Sequence, residues 1–457
     1  MFKAAAIFFA SASLLSPSVF AATQTEVIDA ELTRLFSADS PGAAVLVVKD
    51  GVTLLNKGYG LASVELNVPN RPDQLFYVAS VGKQFTAAAI LKLAEDGKLT
   101  IQAPIRQFFP NIPPSWSGIT VEQLLNHTSG IQNIFMDAGF RQRAFEEHTP
   151  DQLLAQAVSV PLLAAPGSAY AYSSVNYTLL AMMIEQLSGE KYDAYLSRQF
   201  FTPLGMTHTH FVQNPKLIKN MATPYERGPR LAVRWHSTLL FGGGSYASNN
   251  ADLERWTMAL QGGAVLKAPS LAAMNTALTL PGGKRIHYGL GLRPHTLAGQ
   301  PYLQSNGDIH GFHAEVVFLP QSKIFVSVLT NGEDALKYGL APVVKRIATI
   351  AAGMPRQEVR PQTLPDDVLR RLAGTYRNGG ERYVFQVKEG RLQVEYSGRG
   401  KSTSLVALSP TEFYDEGNSD FRFRFTTAPD GRKLTQWFEI DRLDDAADPV
   451  FEKEQGT

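Results

Sequence analysis

The chain of 457 residues contains no cysteine. Disulfide bonds are therefore excluded, and so is a lipid-modified cysteine behind a signal sequence. The chain also lacks an excess of either charge, because 43 Lys and Arg residues nearly balance 42 Asp and Glu residues and leave a net charge of +1. A basic footprint for nucleic acid and an acidic tail are both absent from this composition. We therefore expect a small-molecule or short-peptide partner and no nucleic acid.

The chain lacks an uninterrupted apolar run long enough for a comfortable membrane span. Ala4 to Leu15 is mostly apolar, but serines interrupt the run. Met1-Phe-Lys is a short basic region, and Val19-Phe-Ala21 places small residues before a cleavage point. This pattern predicts a signal peptide over residues 1–21, with a membrane anchor as the alternative. We expect a periplasmic or secreted protein that keeps no stable membrane anchor after cleavage.

Hydrophobic residues make up 44% of the chain and charged residues 19%, which is typical of a globular protein long enough for two domains. Three prolines in residues 353–365 predict a linker. Alternating runs follow it, such as Tyr383-Val-Phe-Gln-Val387 and Phe421-Arg-Phe-Arg-Phe425. They predict a small barrel or sandwich over 366–457, to which we assign no chemistry. The main domain is predicted over 22–352.

Hairpin patterns lie near both ends of this main domain. Two apolar runs join at Asp50-Gly51, and two more flank Pro320-Gln-Ser-Lys. Helical patterns lie between the two hairpins. The sequence thus predicts an α/β (α+β) fold in which the terminal hairpins join one antiparallel sheet flanked by helices, with a helical subdomain.

The stretch around Ser80 carries the strongest chemical pattern in the main domain. From Val81 onward the apolar residues fall on one helical face until Gly97, so Ser80 is predicted at a helix N-terminus. Lys83 lies nearly one turn further along and on the same side, where its amine can approach the Ser80 hydroxyl. Unpaired N–H groups at a helix N-terminus favour developing negative charge, which suits acyl transfer. The alternative is an N-cap serine followed by an exposed lysine.

The Ser-x-x-Lys pattern alone does not distinguish a nucleophile from an N-cap serine. The same pattern recurs at Ser188-Gly-Glu-Lys191, across the glycine that ends another helix. Three further segments bear on Ser80. They are a turn-rich segment that presents Tyr172, a glycine-bearing strand edge at 304–313, and Tyr288-Gly-Leu-Gly-Leu292, predicted as a glycine-spaced strand.

Four segments form a series in chain order: Ser80-Val-Gly-Lys83, Leu124-Leu-Asn-His-Thr-Ser-Gly-Ile131, Tyr172-Ser-Ser174 and Ser305-Asn-Gly307. The series resembles the serine β-lactamase and penicillin-binding-protein superfamily. The branch concerned contains class C β-lactamases, D,D-carboxypeptidases, D-aminopeptidases and related esterases. The resemblance covers about residues 24 to 335 and implies a β-lactamase/transpeptidase-like fold. The tail from about residue 366 resembles the lipocalin-like β domain that some members append.

The resemblance implies a role for each matching residue. Ser80 would be the acylated nucleophile, Lys83 the amine that helps to deprotonate it, and Tyr172 the phenol that relays the proton to the leaving group. The backbone N–H groups of Ser80 and Asp308 would form the oxyanion hole. Contacts with the substrate would come from Ser174, Ser305, Asn306 and Gly307. No cofactor or metal is implied, and either Lys83 or Tyr172 can be the resting base.

Two positions depart from the family pattern. Ser174 stands where the family usually has an asparagine that contacts the substrate amide. Ser305 stands where a lysine or histidine usually holds a substrate carboxylate, and a buried carboxylate without a partner costs several kcal/mol. Efficient action on β-lactams or D-Ala-D-Ala peptides then requires a substitute cation, for which Arg293 and His310 are candidates.

We therefore predict an esterase-like or D-aminopeptidase-like hydrolase that cleaves an amide or ester bond. One alternative is a β-lactamase or D,D-carboxypeptidase, and another is a non-hydrolytic, penicillin-binding-like sensor. His127 is interpreted as part of a structural turn, because the role of the base is already filled. His208-Thr-His210 and His310-Gly-Phe-His313 have ligand-like spacings, but no carboxylate or cysteine pattern accompanies them, so no metal site is predicted.

Overall fold

The computed structural model describes residues 23–454 except 214–215, 229, 234, 334–338, 355–359, 379–380, 397–401, 417 and 440–449. The predicted signal peptide, residues 1–21, and part of the predicted linker lie outside the described residues. Within the described ranges, the helices are all too short or too polar to cross a membrane.

The helices, in chain order, are α1 Gln24–Leu35, α2 Lys83–Glu95, α3 Val121–Leu125, α4 Ala138–Gln142, α5 Pro150–Val158, α6 Ser174–Ser188, α7 Tyr192–Leu196, α8 Asn250–Gln261, α9 Ala268–Met274, α10 Ala341–Ala351 and α11 Asp366–Leu372. A 3₁₀ turn, Ala79–Gly82, leads directly into α2.

The strands of the main domain are β1 Ala43–Lys49, β2 Val52–Tyr59, β3 Leu61–Ser63, β4 Val68–Pro69, β5 Phe76–Tyr77, β6 His210–Phe211, β7 Tyr225–Glu226, β8 Arg230–Leu231, β9 Tyr246–Ser248, β10 Leu278–Thr279, β11 Arg285–Ile286, β12 Arg293–Leu297, β13 Gln300–Ile309, β14 Phe312–Leu319 and β15 Ile324–Thr330. The C-terminal strands are β16 Gly374–Asn378, β17 Glu381–Lys388, β18 Arg391–Tyr396, β19 Ser402–Ala407, β20 Glu412–Asp415, β21 Asn418–Thr427, β22 Lys433–Glu439 and β23 Val450–Lys453.

A six-stranded antiparallel sheet in the order β12-β13-β14-β15-β1-β2 forms the centre of the main domain. The first hairpin turns at Asp50-Gly51 and the second joins β14 to β15. The two hairpins meet where β1 pairs with β15, with Ala43 opposite Thr330. The predicted joining of the terminal hairpins in one sheet, and the mixed fold class, are confirmed.

Side chains alternate between two cores on the opposite faces of this sheet. On β1, Val45 and Val47 pack with the core formed by α1 and α10. Their neighbours Ala44 and Leu46 face the larger core, which contains Phe85 of α2 and many residues of α6 and α8. The sheet is therefore covered on both faces, and the helix that follows Ser80 lies against the face with the larger core.

Strands β16 to β23 form a closed barrel. Its interior is filled by side chains, with Phe385, Phe413, Phe423, Phe425 and Phe451 all buried. Alternating positions of the strands provide these aromatic residues, which is the period-two pattern seen in the sequence. The small β domain is a barrel and not a sandwich.

The segment Tyr288-Gly-Leu-Gly-Leu292 is not a strand, so that prediction is wrong. It is an irregular connection between β11 and β12. Gly291 has a φ of +85°, a left-handed conformation that a strand does not contain. A Cβ atom on Gly289 would lie 2.2 Å from the carbonyl oxygen of Met274, so the glycines here allow a close approach of backbone.

The buried side chain of Asn331 ties the end of β15 to the beginning of β1. Its Nδ2 donates to the carbonyl oxygens of Leu61, Ala62 and Thr223 at 3.1, 3.2 and 2.8 Å, and its Oδ1 accepts from the N–H of Gly42 at 2.9 Å. Backbone groups of three separate segments therefore depend on one amide.

We expect Asn331→Ala to lower the free energy of unfolding by about 3 kcal/mol or more, because several buried backbone groups lose their partner at once. Urea unfolding followed by circular dichroism measures this change. Asn56→Ala, at an exposed position of β2, is the control and should stay within about 0.5 kcal/mol of the parent protein. Equal stabilities of the two variants would contradict the assigned role of Asn331.

Candidate active site

Ser80 lies inside the 3₁₀ turn Ala79–Gly82, and Lys83 is the first residue of α2. The Nζ atom of Lys83 is 3.0 Å from the Oγ atom of Ser80. Ala79 has a φ of +44°, an unfavourable value for a residue with a Cβ atom. The strained turn and the start of the helix together place the serine hydroxyl beside the amine.

Lys83 is buried, with 1% of its surface exposed. Its Nζ atom donates to the carbonyl oxygen of Gly243 at 2.7 Å and to the Oγ atom of Ser174 at 3.4 Å. Burial lowers the pKa of Lys83; the nearby Tyr172 opposes this shift, and the charge of Arg293 adds to it. A neutral amine has two protons and one lone pair. If the protons go to Gly243 and Ser174, the lone pair faces the Ser80 hydroxyl.

Tyr172 reaches Ser80 from the loop that precedes α6. Its Oη atom donates to the Oγ atom of Ser80 at 2.8 Å, and the Nζ atom of Lys83 lies 5.0 Å from the centre of its ring. Burial by itself would raise the pKa of Tyr172. The charge of Lys83, the hydrogen bonds with Lys83 and Ser80, and the charge of Arg293 outweigh burial and lower this pKa. The three predicted catalytic residues are thus in mutual contact.

His127 lies against Tyr172 and does not reach Ser80. The centres of the two rings are 4.3 Å apart. The Nδ1 atom of His127 accepts from the N–H of Ser173 at 3.2 Å, so Nε2 carries the proton and donates to the Oη atom of Tyr288 at 3.1 Å. Burial holds the pKa of His127 well below its usual range. A neutral histidine that orients tyrosines agrees with its interpretation as a structural residue.

Strand β13 runs beside the turn of Ser80 and carries the third motif. A Cβ atom on Gly307 would lie 2.2 Å from the carbonyl oxygen of Val78 and 2.8 Å from the backbone nitrogen of Ser80. Glycine is therefore required for the strand to come this close. Asp308, the second predicted oxyanion residue, follows on the same strand, and its exposed carboxylate pairs with His313 at 2.6 Å.

A narrow cleft opens above Ser80. It is lined by Ser80, Lys83, Tyr172, Tyr288, Gly291, Arg293, Gln304, Ser305 and Asn306. Ser305 and Asn306 thus lie at the cleft, as predicted. Ser174 is not among the residues that line the cleft, and its Oγ atom accepts a hydrogen bond from the Nζ atom of Lys83 at 3.4 Å.

Sequence reasoning gave no role at the site to four of its groups, Gly243, Tyr288, Gly291 and Gln304, although the segments 288–292 and 304–313 were expected to bear on Ser80. Tyr288 and Gly291 lie in the glycine-spaced segment Tyr288-Gly-Leu-Gly-Leu292, which was predicted as a strand, and Gly243 lies in the glycine run Gly242-Gly-Gly244. Gln304 carries no distinctive pattern.

The two candidate cations lie in different places. The guanidinium of Arg293 lies over the ring of Tyr288, 5.2 Å from its centre, in the wall of the cleft. Among the described residues, no carboxylate forms an ion pair with Arg293. His310 packs against Trp235 and lies 3.9 Å from Glu226, away from the cleft lining. Arg293 is thus the cation available to a ligand in the cleft.

Groups of three or more His, Asp or Glu side chains arranged to hold a metal ion are absent from the part of the chain that the structure describes. The cleft lining itself offers the hydroxyl of Ser80, the amine of Lys83, the phenol of Tyr172 and the guanidinium of Arg293.

The protein-family model described as "Beta-lactamase" matches residues 26–346. Protein flp of Staphylococcus aureus is 35% identical over 191 residues, which is 41% of this chain and 38% of that protein. The putative penicillin-binding protein PbpX of Bacillus subtilis is 30% identical over 297 residues, covering 64% of this chain and 71% of that protein. The chain thus spans about two fifths of the length of flp and most of PbpX.

Two solved structures share the fold. The octameric penicillin-binding protein homologue from Pyrococcus abyssi has a TM-score of 0.66 at 22% identity and covers 94% of this chain and 99% of its own. The D-amino acid amidase from Ochrobactrum anthropi SV3 has a TM-score of 0.60 at 20% identity and covers 71% of this chain and 97% of its own. At these identities the likeness concerns the fold alone.

We expect Gly307→Ala to slow the reaction of Ser80 with phenylmethanesulfonyl fluoride by about 100-fold, because a new methyl group forces β13 away from the serine turn and misplaces reacting groups by an ångström or so. Mass spectrometry of the adduct over time measures the rate. Gly299→Ala is the control: its φ of +81° makes the change cost about 1 kcal/mol of stability, but no atom lies near the new Cβ. An unchanged rate in Gly307→Ala would contradict the close approach of β13.

Proposed function

Because this chain belongs to the Beta-lactamase family, we propose that it is an exported serine hydrolase that cleaves an amide or ester bond through an acyl-enzyme on Ser80. One observation carries the proposal. The Oγ atom of Ser80 lies 3.0 Å from the amine of Lys83 and 2.8 Å from the phenol of Tyr172. A nucleophile within hydrogen-bond distance of a base is the arrangement that covalent catalysis requires. Export is supported by the pattern over residues 1–21 alone, and N-terminal sequencing of the mature protein tests it.

In the acylation step, the Oγ atom of Ser80 attacks the carbonyl carbon of the substrate. Its proton passes to the neutral amine of Lys83 or to the ionised phenol of Tyr172. The negative oxygen of the tetrahedral intermediate is held by the backbone N–H groups of Ser80 and Asp308. One such donor typically contributes about 3 to 4 kcal/mol to the stabilisation of the transition state. The C–N or C–O bond then breaks as Tyr172 gives a proton to the leaving group, and where Lys83 holds the serine proton, it passes that proton on to Tyr172.

In the deacylation step, water takes the place of the leaving group. It attacks the ester carbon on Ser80 and gives a proton to the same acceptor. The bond between the acyl carbon and the Oγ atom breaks, and the serine oxygen recovers its proton. The carboxylic acid product leaves the cleft. The pair of Lys83 and Tyr172 therefore serves both half-reactions without a metal ion.

Arg293 favours a substrate that carries a negative charge near the bond to be cleaved. Arg293 is partly buried and forms no ion pair with a described carboxylate, so it is free to pair with an anion, and a guanidinium matches the geometry of a carboxylate. Arg293 can thus supply the positive charge that a lysine or histidine at the position of Ser305 usually provides. This observation supports the second candidate function, hydrolysis of D-Ala-D-Ala peptides or β-lactams, alongside action on simple amides and esters.

Three substrates and a mass measurement separate the candidate functions. We expect p-nitrophenyl acetate or D-alanine p-nitroanilide to be hydrolysed, and a chromogenic cephalosporin to be hydrolysed if Arg293 holds its carboxylate. Ser80→Ala should abolish each activity, because Ser80 is the hydroxyl that contacts both the amine of Lys83 and the phenol of Tyr172. Ser188→Ala, in the second Ser-x-x-Lys pattern, should keep full activity, since its Oγ atom donates within α6 to the carbonyl of Ile184.

Two outcomes would contradict the proposal. Full activity of Ser80→Ala would refute the site. A stable acyl adduct on Ser80 without turnover of any substrate would instead identify a non-hydrolytic sensor.

We expect Arg293→Gln to raise the KM for a carboxylate-bearing substrate by about tenfold or more, because a hydrogen bond between charged groups is lost. The KM for a matched uncharged substrate should change far less. Steady-state kinetics on both substrates measures the difference. His310→Gln is the control, since the other candidate cation lies outside the cleft lining. A similar KM for the anionic substrate in both variants would show that Arg293 binds no carboxylate.

A further inference from the structure

Behind the cleft, three polar side chains form a buried network on neighbouring strands. They are His295 on β12, Gln304 on β13 and Glu315 on β14, with 6%, 2% and 3% of their surfaces exposed. The strand register places Gln304 opposite Arg293, and Glu315 opposite Asn306. Gln304 also lines the cleft. The network therefore connects the wall of the cleft to the inside of the sheet.

The donor and the acceptor of each hydrogen bond in this network are defined. The Nε2 atom of Gln304 donates to Oε1 of Glu315. The Oε1 atom of Gln304 then accepts from His295 Nε2, at 3.2 Å. Burial lowers the pKa of His295 to about 2, so this ring is neutral and its Nδ1 atom carries no proton. Among the described residues, this Nδ1 atom has no hydrogen-bond partner. Glu315 is thus the one titrating group of the three near neutral pH.

Charged groups face the Glu315 carboxyl from three elements. Burial, together with the charge of Asp308 on β13, raises the pKa of Glu315 to about 8, against the opposing effects of the hydrogen bond from Gln304 and the charges of Arg293 on β12 and Lys345 on α10. His295 is neutral. Arg293 remains charged, because its pKa is raised by neighbouring tyrosines and by Glu315 despite its burial. The carboxyl group is therefore mostly protonated at pH 7 and mostly ionised at pH 9.

We propose that Glu315, acting through Gln304, is a positioning residue of the cleft, and that ionisation of its carboxyl group weakens the binding of an anionic ligand beside Arg293. A negative charge in this buried position is poorly screened by solvent. It offsets the positive potential of Arg293 at the place where a ligand carboxylate would bind. The neutral acid keeps Gln304 in place without opposing the ligand. This inference rests on the proposed function, in that it assumes an anionic substrate.

A binding experiment on the full chain tests the inference without requiring turnover. The protein is the Ser80→Ala variant, and the probes are acetyl-D-alanyl-D-alanine and its uncharged C-terminal amide. Titration calorimetry gives the dissociation constant of each at pH 7 and pH 9. The ligand carboxylate is ionised at both values. We expect the affinity for the acid to fall about tenfold at pH 9, and the affinity for the amide to stay constant.

Two double variants identify the group responsible. In Ser80→Ala/Glu315→Gln the fall in affinity for the acid between pH 7 and pH 9 should disappear, because the new amide oxygen still accepts the hydrogen bond from Gln304 but the side chain cannot ionise. Ser80→Ala/Glu254→Gln is the matched control. Burial also raises the pKa of Glu254, but this residue belongs to α8 and lies outside the cleft lining. The control should show the full fall in affinity.

Several results would overturn the inference: equal affinities for the acid at both pH values, no binding of the acid at either, or a fall that persists in the Glu315→Gln variant. If that variant does not fold, the comparison of acid and amide in Ser80→Ala still tests the inference. An equal change of both affinities between pH 7 and pH 9 would show that the charge of the ligand plays no part, and would contradict it. Failure of the proposed function looks different. In that case the acid binds with the expected pH dependence, while the protein with Ser80 intact turns over no substrate.

Discussion

Burial of the Lys83 amine beside Ser80 is the interaction on which the candidate site depends. An ammonium group in this dry position lacks a carboxylate partner among the described residues, so its neutral form is favoured and can accept the serine proton. The carbonyl of Gly243 and the hydroxyl of Ser174 hold the remaining amine protons. Three distant parts of the chain must meet for this to happen: the start of α2, the glycine-rich turn before β9, and the first turn of α6.

The edge of the central sheet completes the cleft around this amine. Gly307 allows β13 to approach the serine turn, and Arg293 brings a permanent positive charge from β12. That charge lowers the pKa of both Lys83 and Tyr172, so it supports proton acceptance as well as anion binding. His127 stays neutral and orients the surrounding tyrosines. Ser305 on β13 stands where the family usually has a lysine or histidine, and Arg293 on the neighbouring strand β12 provides a positive charge in the same cleft.

Much of this arrangement could be predicted because it depends on local pattern. The spacing of Ser80 and Lys83 along one helical face brings their side chains together wherever the helix lies. The turn residues Asp50-Gly51 likewise predicted a hairpin, and the alternation of the C-terminal strands predicted a barrel or a sandwich; the hairpin and a barrel are present. The glycines of Tyr288-Gly-Leu-Gly-Leu292 misled the prediction, since glycine marks close backbone approach in a strand and in an irregular loop alike.

The sequence by itself indicated the fold class, the pairing of Ser80 with the amine of Lys83, and Tyr172 as the tyrosine of the family pattern. Only the tertiary structure decided that Arg293 and not His310 faces the cleft, that Ser174 contacts Lys83 from below, and that Glu315 lies behind Gln304. The physical reason is that helix and strand periods fix which neighbours along the chain share a face. Contacts across strands and between loops depend instead on register, on the positions of glycines, and on which buried charges can be accommodated.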